Sequence, residues 1–391
     1  MRMFRSGLWS SSVMFVVACG AIGCDGGGGA VGTPENPVRI VFQSKWFPQA
    51  QFAGYYAAGG HADGASAGPM VPRDDGFTFY EQEGLDVVVL DGGGVNPSQA
   101  VATGEAHFGT DWIANMVREV EENDHQLRHI AQIFQRPGFE MVGLADSGVA
   151  SFDDLPGTTL GVWDFGNEFP VQVCLRSHGI TSDLDSDLPP GQEPDVTTVS
   201  YAFDPALVFP DDVTLASAMV YNELDQIVGL GHPLDTLVRL PTAEHGCGLL
   251  EDFIFTTQAL LDDPDFEGTG ITGREIAERF IRATLRGWRW VLEEGNREQA
   301  TELVLALCGD TCDGSGSRQD PRVHQTWQLE RVSELVQPGL LGEAEVTPGC
   351  LDRAAYDDTL RLLRDVGFVR EGSGDDLLRP EVLEGAGVTC P

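Results

Sequence analysis

Several short stretches of the chain place aromatic rings beside groups that donate or accept hydrogen bonds. Trp46 is followed by Gln49 and Gln51, an indole face next to amides. Asp111-Trp112 sets a carboxylate against an indole, so the acid can accept from an N–H of a bound molecule while the ring stacks on it. Gly166-Asn167-Glu168 opens an expected helix, whose first N–H groups favour a phosphate or carboxylate. Tyr221-Asn222-Glu223 follows an apolar run, and its carboxylate suits an exocyclic amine beside a ring nitrogen. The chemistry these stretches share is the grip of a small planar polar molecule. Each also has a plainer use. Trp46 and Phe52 suit a core, Asp111 and Asn167 suit helix caps, and Tyr221 to Glu223 suit a polar turn.

Other chemistries find little support. Lys45 is the only lysine in the chain. There is therefore no Gly-Lys-[Ser/Thr] phosphate loop, and a Schiff base would have to use Lys45. His125 and His129 are spaced to share one helical face, but the intervening Glu of a metalloprotease helix is missing, so no metal is assigned. Gly64-Ala-Ser-Ala-Gly68 has nucleophile-elbow spacing without a preceding strand, and no residue is assigned a catalytic role. No cofactor is implied.

The elements that must position these stretches alternate strand and helix. Val38 to Phe42 reads as a strand, Pro48 stops it, and Phe52, Tyr55 and Tyr56 mark a short helix ending at Gly59-Gly60. Strands are expected over 87–90, 106–110 and 130–134, with helices from Asn96-Pro97 to Gly104 and over 113–122. This reads as an open parallel α/β sheet. Residues 135–138 read as a crossing into a second such unit. It has strands at 141–144, 159–163, 196–201, 216–221 and 237–240 and helices at 169–178 and 223–230. Residues 252–256 return the chain to the first unit. Helices follow at 273–293, 296–307, 320–336 and 351–366, then an acidic Gly-rich tail expected to wrap the surface. Residues 61–77 read as an exposed loop.

The ordered segments WFPQAQFAGYYAA, EGLDVVVLDGGG, ATGEAHFGTDW, IAQIFQRPG, GVWDFGNEF, AMVYNE and FIRATLRGW resemble the thiamine-pyrimidine precursor-binding family. These are solute-binding proteins of ABC importers, related to alkanesulfonate-binding proteins and to fungal pyrimidine synthases. The resemblance covers most of residues 38–292, and residues 300–391 match loosely. It implies a two-lobed type II periplasmic-binding-protein fold with a hinge and C-terminal helices. Lobe I would be 38–134 with 250–391, and lobe II 138–245. It places Trp46, Asp111, Trp112, Asn167, Glu168, Tyr221, Asn222 and Glu223 in the cleft; Gln51 is added from its own chemistry. It implies a small heterocyclic ligand, thiamine pyrimidine or flavin-like, with an ABC permease and ATPase as partners. A synthase is the enzymatic alternative. By the resemblance those enzymes carry a His where this chain has Phe52, and a Cys-rich run that is missing here. Reuse of the fold as a ligand sensor is a further alternative.

Acidic residues number 61 against 24 basic, for a net charge of −37, a field that repels nucleic acid. Residues 1–23 read as an export signal, with Arg2 and Arg5 before a short apolar run. Ala21-Ile22-Gly23-Cys24 resembles a lipoprotein cleavage site, with Cys19 as the competing position. Residues 24–37 read as a flexible tether, so the expected product is a periplasmic monomer held to the membrane by lipid alone. The remaining cysteines, Cys174, Cys247, Cys308, Cys312, Cys350 and Cys390, read as disulfides whose pairing the sequence leaves open, Cys308–Cys312 being the local candidate.

Overall fold

The computed structural model describes residues 29–62, 75–164, 166–202, 204–309, 312, 320–341 and 346–391. The leader, Cys19, Cys24, most of the 61–77 loop and its Gly64–Gly68 stretch lie outside the described residues. Residues 32–37 belong to the expected tether but are held. Gly32 N–H donates to Asn36 O at 2.8 Å, and Arg279 Nη1 donates to Gly32 O at 3.0 Å.

The strands in chain order are β1 Val38–Gln43, β2 Leu85–Leu90, β3 Phe108–Asp111, β4 Leu127–Gln132, β5 Phe139–Leu144, β6 Thr159–Trp163, β7 Thr197–Tyr201, β8 Leu215–Met219, β9 Leu237–Pro241 and β10 Phe253–Thr257. They form two five-stranded sheets, ordered β2-β1-β3-β10-β4 and β7-β6-β8-β5-β9. The molecule is a two-lobed mixed α/β fold, as expected. The sheets are not purely parallel, however. β10 runs antiparallel to β3 and β4, and β5 runs antiparallel to β8 and β9. In each sheet the antiparallel strand is the one arriving from the other lobe.

Local signals hold where they are steric or capping signals. Asn96 accepts from Gln99 N–H at 3.1 Å and starts the helix Pro97–Ala102 with Pro at its first position. Thr272 accepts from Glu275 N–H at 3.2 Å at the start of the helix Gly273–Leu292. That helix buries Ile276, Phe280, Ile281, Leu285 and Trp288 completely. Phe280 stacks on Phe108 of β3 at 4.5 Å, so the helix is seated on the first sheet. Each such side chain contributes roughly 1.5–3 kcal/mol.

Other expectations shift. The strand expected at 130–134 is β4, which starts at Leu127 and stops at Gln132. Ile133 and Phe134 instead turn both N–H groups to Asp252 O. His129 therefore lies on a strand, not on a helical face with His125. Its buried ring stacks on Phe253 at 4.9 Å, and burial pushes its pKa down to about 4. The strand expected at 216–221 ends at Met219, leaving Tyr221 and Asn222 free of the ladder.

The tail does more than wrap the surface. His129 N–H donates to Leu377 O at 2.8 Å and Arg379 N–H to His129 O at 2.9 Å, so the tail covers the open edge of β4. The disulfides are Cys174–Cys247, Cys308–Cys312 and Cys350–Cys390. His178 lies beside Cys174 and Cys247, but their bond leaves no thiolate for a metal there. Among the described residues no helix is long and apolar enough to cross a membrane.

The helix Ala53–Ala57 crosses Gly273–Leu292 at contact distance through Gly54 and Gly287. A Cβ on Gly287 would land on the Gly54 carbonyl. Gly287→Ala is therefore expected to destabilise the fold by about 2 kcal/mol or more, read as a lower urea midpoint at unchanged slope.

Candidate functional site

The site grows out of the two chain crossings, 133–138 and 242–252. Thr242 N–H donates to Phe139 O at 3.1 Å, so the crossings run side by side. Glu251 clasps the other crossing, accepting from Gly138 N–H at 2.9 Å and Phe139 N–H at 3.2 Å. Asp252 follows with a left-handed φ of 34°, a conformation that costs a non-glycine residue about 1 kcal/mol. Its carboxylate reaches lobe I, where it accepts from Gln51 Nε2 at 2.7 Å and Trp112 Nε1 at 3.0 Å.

The cleft holds about 630 Å³ of empty space, mouth included. Its lobe I wall follows β1. Ser44 Oγ lies 2.7 Å from both Leu90 O and Trp46 O, its one hydrogen shared between them, and fixes the turn that presents Lys45 and Trp46. Gly92 packs against the Lys45 backbone so closely that a Cβ would strike the Lys45 carbonyl. The lobe II wall carries Trp163 at the end of β6, Ser217 on β8, and Tyr221, Asn222 and Glu223 beyond it. Trp46 and Trp163 meet edge to face across the gap, with centroids 4.9 Å apart, so the cleft is closed.

Of the residues singled out from sequence, Trp46, Gln51, Trp112, Asn167, Tyr221, Asn222 and Glu223 line this cavity. Asp111 and Glu168 do not. The Asp111 carboxylate is fully buried and already saturated. Oδ1 takes Lys45 Nζ at 3.0 Å, Trp112 N–H at 2.8 Å and Asn115 Nδ2 at 2.9 Å, and Oδ2 takes Ser98 Oγ at 2.7 Å. It positions Lys45 rather than a bound molecule. Glu168 folds its carboxylate back onto Gly166 N–H at 2.8 Å, occupying the helix start expected to cradle an anion. Burial is the main cause of its raised pKa. Glu223 faces the cavity, but Met219 N–H at 2.7 Å and Asn222 Nδ2 at 2.6 Å already hold its two oxygens. Burial raises its pKa, and those same bonds oppose the rise.

Gln49, noted beside Gln51 in the sequence, lines the cavity too, whereas Lys45, Phe139, Trp163 and Ser217 were missed as cavity-lining residues. Lys45 is the notable one, because its solitude in the composition was the available signal. Its ammonium lies 4.6 Å from the centroid of the Trp112 ring and pairs with Asp111. Trp163 closes an expected strand, the usual place for a cleft residue. Glu251 and Asp252 carried no signal beyond their place at the expected return crossing.

A family model described as NMT1/THI5 like matches residues 67–297. No curated protein matches the sequence. Among solved structures, the ligand-binding component of an ABC-type import system from Staphylococcus aureus, solved with zinc bound, superposes with a TM-score of 0.54 at 11% identity, covering 89% of this chain and 98% of that one. A putative periplasmic sulfonate-binding protein, SsuA, from Methylobacillus flagellatus gives 0.54 at 14% identity over 90% and 94%. The periplasmic nitrate-binding protein NrtA of Synechocystis gives 0.51 at 12% identity over 90% and 88%. At these identities the likeness is one of fold.

The hinge acids carry a pH signature. Burial, against the bonds from Gly138 and Phe139, pushes the Glu251 carboxyl up to about 8, and burial pushes Asp252 up to about 7. An acid with a raised folded pKa holds its proton more tightly folded than unfolded. Its contribution is full below the unfolded pKa and is lost as pH rises through the folded value. Stability is thus expected to fall between about pH 5 and about pH 8. Glu251→Gln should lower the acid-side stability, since one N–H loses its acceptor, and flatten the decline, as denaturant midpoints across that range would show.

Proposed function

Because the chain belongs to the NMT1/THI5-like family, we propose that it is the solute-capturing component of an ABC importer. In this reading the leader exports it, lipid on Cys24 tethers it in the periplasm, and an ABC permease and ATPase receive its cargo. The cargo is a small aromatic nitrogen heterocycle of thiamine-pyrimidine or flavin type, held between the lobes of a monomer.

The observation that carries this reading is a closed cleft walled by Trp46, Trp112, Trp163 and Tyr221, with Asn222 and Glu223 at one end. Flat faces on both lobes suit a ring, and carboxylate oxygens keep lone pairs for a ring amine beyond the bonds they already accept. The solved relatives named for sulfonate and nitrate carry anions. An anion suits this cleft poorly. Lys45 is the one cation among its lining residues and is paired with Asp111 at 3.0 Å. Glu223 also lines the cleft, and the net charge of −37 repels anions at long range.

One observation favours a second reading, a pyrimidine synthase. The only lysine of the chain, the one amine a Schiff base could use, stands in the cavity. Against that reading, Asp111 engages its ammonium, and Phe52 stands where the enzymes carry a His. Borohydride reduction with pyridoxal phosphate should leave Lys45 unmodified, and a peptide bearing the adduct would favour the enzyme.

Mass spectrometry of small molecules that copurify with residues 29–391 is expected to find a pyrimidine or flavin-like compound that quenches tryptophan fluorescence. Trp112→Ala and Glu223→Ala should each weaken its binding by ~1–3 kcal/mol in fluorescence titrations. Unchanged affinity in both would remove the site assignment.

A further inference from the structure

A directed chain of buried hydrogen bonds runs along the cleft and passes through a helix outside the family match. Its lobe I end is Asp252, which accepts from Gln51 Nε2 at 2.7 Å. Gln51 Oε1 accepts from Gln49 Nε2 at 2.6 Å, and Gln49 Oε1 accepts from Gln328 Nε2 at 3.1 Å. On the lobe II side, Gln328 Nε2 donates to Asn222 Oδ1 at 2.9 Å, and Asn222 Nδ2 donates to Glu223 Oε1 at 2.6 Å. Gln328 belongs to the helix Pro321–Val336, beyond the family match of residues 67–297. That helix is seated on both lobes. Gln325 Oε1 accepts from Ala50 N–H at 2.8 Å, and Trp327 Nε1 donates to Val220 O at 3.1 Å.

A primary amide has one accepting oxygen and one nitrogen with two donors. Each amide in the chain is therefore oriented by its neighbour, and the orientations diverge from Gln328, whose two N–H groups point one to each lobe. His324, one turn earlier, reinforces this. Its Nδ1 faces Asp225 Oδ2 at 2.7 Å and its Nε2 faces Asn222 Oδ1 at 2.9 Å. Gln328 Nε2 also lies 2.9 Å from His324 Nε2, so the amide and the imidazole converge on Asn222 Oδ1. Gln328 is fully buried, and its own Oε1 has no partner among the described residues. A flipped amide would set that oxygen against those of Asn222 and Gln49, so the observed orientation is the one that makes both bonds.

We propose that Gln328, backed by His324, is a positioning residue that sets which hydrogen-bonding pattern the cleft reads. The proposal rests on the heterocycle reading above. With Asn222 Oδ1 held by Gln328 and His324, Nδ2 must point at Glu223, which stays an acceptor and selects a ring amine. Reversing Gln328 would turn Asn222 round, set Oδ1 against the Glu223 carboxylate and favour its protonated, donating form. The cleft would then select a ring carbonyl.

The test compares two near-isosteric probes, 4-amino-2-methylpyrimidine and 2-methylpyrimidin-4-one, by fluorescence titration of the wild type, Gln328→Glu and Gln328→Met. The wild type should favour the amine by roughly tenfold, about the value of one directed hydrogen bond. Gln328→Glu should erase or invert that preference. Gln328→Met, which is neutral and nearly isosteric, should bring it to within about threefold and decides the matter should the charged variant not fold. A purely structural role would weaken both probes equally, so folded variants that keep the wild-type ratio overturn the proposal. A wild type that binds both probes alike overturns it too, while the heterocycle reading stands. A wild type that binds neither overturns that reading, and this inference with it.

Discussion

The contact on which this architecture depends is the clasp of one chain crossing by the other through Glu251. Its carboxylate takes the amides of Gly138 and Phe139, the residues that lead into β5, while Asp252 O takes those of Ile133 and Phe134, the residues that leave β4. Each lobe therefore enters the other at one fixed place. The same clasp accounts for the one antiparallel strand in each sheet, because the strands carrying the chain across are those that run against their neighbours. Burying two adjacent acids is costly, and their raised pKa values record the cost. In return, Asp252 holds Gln51 and the Trp112 indole, so cleft geometry and hinge geometry are set by neighbouring residues.

Polar groups in the cleft are spent largely on one another. Asp111 holds Lys45, Asn222 holds Glu223, and Gln49 holds Gln51. What stays open is aromatic surface together with the unused lone pairs and protons of groups already fixed in direction. Such a surface presents shape and directed hydrogen-bonding groups more than free charge. The C-terminal helix Pro321–Val336 completes the arrangement by joining both walls from behind.

Much of the fold was legible from local chemistry. The Asn96-Pro97 helix start, the periodic apolar face of Gly273–Leu292 and the alternation of strands and helices depend on residues close in sequence, so the one-dimensional pattern carries them. About half of the cleft residues were legible for a similar reason. Trp46, Trp112 and Tyr221 follow strand ends, where α/β folds place their crevices. Strand boundaries were less legible. β4 stops at Gln132 and β8 at Met219 because of partners far along the chain, Asp252 for one and Gly138 for the other.

The sequence by itself determined the two α/β units, the segments that line a cleft and the unusual status of a single lysine. Those facts are written in spacing, caps and composition, which need no partner. Only the tertiary structure decided that Asp111 and Glu168 turn away from the cavity and that Lys45 enters it. It also decided which cysteines pair, and that Gln328 joins the two walls. The reason is that a polar side chain goes to whichever donor or acceptor folding brings nearest. For Asp111 and Lys45, and for Gln328 and Asn222, those partners lie far apart along the chain.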